Sequence, residues 1–152
     1  MQTRRAMLTH GATLAGLLAS AGLLPTRAQA AWTAAAFDSK TMTDAVKALG
    51  GSTPVESRDV TVTGPDIAEN GAVVPVGCST TLPGVKRLML MVEKNPSVLA
   101  SVFDVTDAVD ASLTTRVKMG QSSNVFAVAM MADGKVLFAV KEIKVTLGGC
   151  GG

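Results

Sequence analysis

Beyond Pro54 the chain alternates apolar and polar residues with a period of two, rich in Val and Thr and interrupted by Gly, Pro and Asn. That texture commits most of the sequence to short, half-buried strands. It predicts strands over Val55–Thr63, Ala72–Thr80, Val85–Glu93, Val98–Val105, Leu113–Met119, Asn124–Met131 and Lys135–Leu147. Turn signals separate them at Gly64-Pro65-Asp66, Glu69-Asn70-Gly71, Pro83-Gly84, Asn95-Pro96 and Asp133-Gly134, the last a strong tight-hairpin signal. Strands at this spacing indicate a mainly β fold, an antiparallel β-sandwich of immunoglobulin-like type. Pro75 marks an edge or a bulge in its strand. Ahead of the strands, Asp38 or Ser39 can cap one N-terminal helix running through Leu49, with Met42, Ala45, Val46 and Leu49 on its apolar face and Gly50-Gly51 stopping it.

The last strand sets the geometry of the chain's end. Lys141 to Leu147 alternates polar and apolar residues, a register that buries Ile143, Val145 and Leu147. The chain then passes into Gly148-Gly149-Cys150-Gly151-Gly152. Glycines bring no Cβ to wall off the cysteine and reach backbone regions closed to other residues, so this flexible segment cannot enclose its own sulfur. Extended, five residues reach roughly 17 Å, far enough to enter another protein's active site. The pattern suits a covalent carrier arm. Glycine-rich ends are also often simply frayed. Prenylation does not fit, because only two glycines come after the cysteine. A sulfur carrier ending in a Gly-Gly thiocarboxylate is a further alternative.

The other end bears on that alternative. Thr3-Arg4-Arg5-Ala6-Met7-Leu8, an apolar run from Ala12 to Leu24, then Pro25, Arg27 and Ala28-Gln29-Ala30 form a signal peptide whose paired arginines point to twin-arginine export. Paired arginines also occur in ordinary secretory signals. The run is too short for a membrane helix and is broken by Gly16, Gly22 and Pro25. The expected organisation is a signal peptide over 1–30, a sandwich domain with its helix over 31–147 and a carrier arm over 148–152. The expected location is the periplasm, where no ATP is at hand to make a thiocarboxylate. Cleavage after Ala30 removes Arg4, Arg5 and Arg27 but no acid. The 14 basic residues become 11 against 12 acids, and the net charge moves from +2 to −1. Such a balance argues against nucleic acid or a membrane surface as partner. The one histidine, His10, leaves with the signal, and the chain has no tyrosine. Cys-His catalysis is therefore closed to the mature chain, and two cysteines fall short of a four-ligand zinc site. Neither a cofactor nor a catalytic residue is expected, and the chain reads as a protein acted on by others.

Several stretches together resemble a known family. Val145 to Gly152, Ala48-Leu49-Gly50-Gly51, Pro65 to Gly71, Val92 to Pro96 and Met119 to Asn124 are similar to SoxY, the sulfur-carrying subunit of the periplasmic thiosulfate-oxidising Sox system. The resemblance implies an immunoglobulin-like domain in a heterodimer with a small all-β subunit, SoxZ. It implies that Cys150, flanked by Gly148, Gly149, Gly151 and Gly152, takes up thiosulfate by oxidative conjugation at the haem protein SoxAX. The hydrolase SoxB would then release sulfate, and SoxCD, where present, would oxidise the remaining sulfur.

Cys78 departs from that pattern. A disulfide to Cys150 would immobilise the arm; a buried, inert thiol is the other reading. A disulfide homodimer through Cys150 is open as an off-duty form. Met89, Met91, Met130 and Met131 admit a copper- or redox-handling module using Cys150 and soft thioethers, or a core: Met89 and Met91 share one strand face.

Overall fold

A computed structural model describes residues 33–147. The predicted signal peptide (1–30) and arm (148–152) lie outside the described residues. Two short helices open the described chain, α1 (Ala34–Phe37) and α2 (Met42–Ala48), where the periodicity predicts one. The capping hydroxyls explain the difference. Ser39 donates backwards to the Ala35 carbonyl (2.7 Å) and so closes α1. Thr41 takes the N-cap of α2, accepting from the Asp44 N–H (3.1 Å). The Ser97 hydroxyl donates to the Phe37 carbonyl and the Lys40 ammonium to the Pro96 carbonyl, tying the helices to the chain just ahead of Leu99.

The strands are β1 (Val55–Glu56), β2 (Val60–Thr63), β3 (Ile67–Asn70), β4 (Val74–Thr80), β5 (Val85–Val92), β6 (Leu99–Asp104), β7 (Ser112–Val117), β8 (Ser123–Met131) and β9 (Val136–Leu147). They form a six-stranded sheet in the order β1-β9-β8-β5-β6, with β3 also on β9, and a three-stranded sheet β2-β4-β7. These are the two sheets of the sandwich, and all pairs are antiparallel except β1–β9 and β3–β9. The predicted strand Val55–Thr63 is two strands in different sheets. Ser57 breaks it: its hydroxyl donates to the Asp59 carboxylate (2.9 Å) and accepts the Asp59 N–H (3.1 Å), turning the chain across the sandwich. β3 is the strand that periodicity misses, four residues wedged between two turn signals. Pro75 sits in the middle strand of its sheet, yet β2 pairs no further along β4 than Gly77, so Pro75 has a registered neighbour only on β7. Locally it is an edge position, as expected.

The core has two parts, one on each face of the large sheet. Leu88, Leu90, Val92, Val125, Ala127, Leu137 and Ile143 meet Val74, Val76 and Cys78 of the smaller sheet. Met89, Met91, Val128, Met130 and Val136 meet Ala36, Ala45 and Val46 of the helices. This is why β5 reads Leu88-Met89-Leu90-Met91-Val92 without polar interruption: it is covered on both sides. The Asp133-Gly134 hairpin forms as predicted, with Gly134 at φ +86° and the Met131 N–H donating to Lys135 O (2.8 Å).

Candidate functional site

The end of β9 is the site the sequence singles out. Its pairing with β8 stops at Ser123↔Ile143, yet β9 continues to Leu147. The overhanging residues are held from both sides. On one side β3 runs parallel, with Ile67 opposite Lys144, Ala68 opposite Val145 and Asn70 opposite Leu147. The Lys144 N–H donates to Asp66 O (3.0 Å) and the Gly71 N–H to Leu147 O (2.8 Å), and the Thr146 hydroxyl donates to Glu69 O (3.1 Å). On the other side, where β8 has not begun, the Val145 N–H donates to the Ser122 hydroxyl (2.9 Å). A side-chain oxygen stands in for the missing strand and satisfies a donor that would otherwise need water.

The bracket around β9 is itself braced. Gly71 O accepts the Met119 N–H (2.7 Å), and Asn70 Oδ1 accepts the Ala72 N–H (2.9 Å). Lys141 pairs with Asp66 at 2.7 Å. That hydrogen bond, with the lysine's charge, lowers the Asp66 carboxyl below the ordinary aspartate range, and Asp66 is fully exposed. Glu93 to Asn95 joins the same end: the Glu93 N–H donates to Asn124 O (3.0 Å), Lys94 N–H to Ser123 Oγ (3.0 Å) and Asn95 Nδ2 to Lys118 O (2.8 Å). Three of the stretches that carry the family resemblance, around 65–71, 92–96 and 119–124, therefore converge where β9 ends. Leu147 stands there 70% exposed and Val145 half-buried, so of the three residues expected to be buried only Ile143 is fully so. The register is right; the sheet ends before the strand does.

Cys150 and its glycines, Gly148, Gly149, Gly151 and Gly152, lie outside the described residues. The other cysteine is placed. Cys78 is a free thiol, 1% exposed, on the inner face of β4. Desolvation pushes it up to about 12, against a smaller opposing effect of a backbone hydrogen bond with Val128. It has no route to solvent-borne chemistry, as the buried reading expects. Met89, Met91 and Met130 are core residues beneath the helices. A groove of about 680 Å³, lined by Arg58, Asp59, Asp107 and Asp110 among others, lies at the opposite end of the strands. Among the described residues no helix is long and apolar enough to cross a membrane, and no three His, Cys, Asp or Glu side chains group as metal ligands. The residues that sequence reading did not single out are those of the bracket, Asp66, Glu69, Asn70 and Ser122; their turn-like composition reads as loop, and only their membership of the family-like stretches marked them.

The family model "SoxY: Sulfur oxidation protein SoxY" matches residues 45–150, a span that reaches Cys150. No curated protein matches the chain significantly. Among solved structures, the sulfur carrier protein SoxY from Chlorobium limicola f thiosulfatophilum is 35% identical, with 68% of this chain and 94% of that chain covered at a TM-score of 0.61. A superoxide reductase (neelaredoxin) from Ignicoccus hospitalis is 18% identical over 58% of this chain and 80% of that one, TM-score 0.51; that likeness is one of fold alone.

Proposed function

Because the chain belongs to the SoxY family, we propose that it is a covalent carrier of sulfur intermediates in thiosulfate oxidation, with the substrate attached to Cys150. The observation that carries this is the end of β9: a strand extended past its sheet, held on both sides and terminating at an exposed leucine three positions before the cysteine. Cys78 is buried, which leaves Cys150 as the thiol able to exchange with solutes.

In the proposed cycle the Cys150 thiolate forms a sulfur–sulfur bond with thiosulfate, and the electron pair released passes to a haem partner of SoxAX type. Water then cleaves the terminal sulfur–sulfonate bond at a SoxB-type hydrolase, releasing sulfate and protons and leaving a persulfide on Cys150. A SoxCD-type partner would oxidise that sulfur. In this reading the partners supply the acid–base and redox chemistry, and the chain is the carrier they act on. In this reading the thiol reacts once a partner activates it, since the thiolate and not the thiol is the nucleophile. Gly148, Gly149, Gly151 and Gly152 serve as the arm, a SoxZ-like subunit as the heterodimer partner, and a twin-arginine signal as the route to the periplasm. The copper-handling alternative is weakened by Met89, Met91 and Met130 being packed in the core.

The test is intact-mass analysis after incubation with thiosulfate and the oxidising haem partner. Wild type should gain a thiosulfate-derived adduct, and Cys150→Ser should fold and gain none. An adduct of the same mass on Cys150→Ser would refute the assignment.

A further inference from the structure

The overhang of β9 has a consequence for how far Cys150 can travel. Lys144 to Leu147 lie beyond the last β8 pair. A strand end past its sheet ordinarily frays, and these residues would then add to the five of the arm. The tether would lengthen from five residues to nine, and its greatest reach from roughly 17 Å to roughly 30 Å. The structure prevents this by holding the overhang from both sides. Lys144, Thr146 and Leu147 bond to the Asp66–Gly71 segment, and Val145 bonds to Ser122.

We infer that Ser122, acting with the β3 segment, is a positioning residue that fixes the pivot of the arm at Leu147 and so sets its reach. The inference rests on the carrier reading above. The β3 side is mainly a backbone ladder, with the Thr146 hydroxyl added to it. The Ser122 side depends on one hydroxyl, because no strand lies there to accept from Val145. A short tether concentrates Cys150 close to the domain, and a tether of nine residues would dilute it about 2-fold, following the −3/2 power of length. A partner that recognises the domain and receives the thiol in a shallow cleft gains from the fixed pivot.

Ser122→Ala should leave the melting transition in place yet speed hydrogen exchange at the Val145 amide about 5-fold, the size expected for one lost hydrogen bond. With the haem partner limiting and thiosulfate saturating, loading of Cys150 should slow, by up to the roughly 2-fold limit of a fully freed overhang, through a raised KM for the carrier, with kcat unchanged. Ser122→Thr, which keeps the hydroxyl, should restore both. Thr146→Val, which removes the bond to Glu69 on the other side, should act in the same direction. Unchanged Val145 exchange in Ser122→Ala would overturn the clamp. Faster exchange with unchanged loading would overturn its role in reach. If wild-type Cys150 takes up no adduct at all, the carrier reading falls, and the exchange data still decide whether the clamp exists.

Discussion

Cys78, 1% exposed, is withdrawn from thiol chemistry by the core around it. Burial lifts Cys78 to about 12, so the folded protein keeps it protonated where an unfolded cysteine, at 9.0, has ionised. A raised folded value makes this contribution to stability complete below pH 9.0 and erodes it as pH rises towards 12, at no more than about 1.4 kcal/mol per pH unit. Denaturation of wild type at rising alkaline pH should show this extra loss relative to Cys78→Ala, and equal slopes for the two would contradict it. Native protein should also titrate no Cys78 thiol with an exchange reagent until it is unfolded. Asp66 works in the other sense. Its lowered value means that its pairing with Lys141 helps above the ordinary aspartate range and is lost as pH falls through the lowered pKa.

The β8–β9 hairpin carries the site, and its turn shows how elements are fixed. Gly134 holds φ +86°, and a methyl built on it would meet nothing within 4 Å. Gly134→Ala should therefore cost only the backbone strain, about 1–2 kcal/mol, read as a lowered urea midpoint with an unchanged slope. Gly77 is the opposite case. Its backbone is ordinary, but an added Cβ would lie 2.4 Å from Thr63 Oγ1 and 3.0 Å from Leu113 O, so the smaller sheet has no room for a side chain there. At the end of β9 the elements are fixed differently again. β3 and Ser122 do by hydrogen bonds what turn geometry does at Gly134.

At the scale of the whole molecule, the large sheet is the shared wall of two cores. Met89 and Met91 face the helices while Leu88, Leu90 and Val92 face the smaller sheet. Met91→Ala, at a fully buried position, should destabilise by about 2–5 kcal/mol. Since both cores share β5, helix and sheet signals should melt together; separate transitions would show the two layers to be independent. The antiparallel run of β8 and β9 places the hairpin's tip at one end of the strands and the exposed Leu147 at the other.

Alternation located β4 to β9 closely from the sequence alone, because half-buried strands repeat every two residues wherever one face is covered. The Asp133-Gly134 turn was equally legible, since few residue pairs adopt its dihedrals. The glycine-flanked cysteine and the stretches resembling SoxY pointed to a carrier without any tertiary information. The tertiary structure decided features that no local pattern encodes: that Ser57 sends the chain from one sheet to the other, that Ile67–Asn70 is a strand, and that Leu147 is exposed despite its apolar phase. Each depends on partners distant in sequence. β3 is a strand only because β9 outruns β8, and Ser122 holds Val145 only because β8 begins two residues short of the position opposite it.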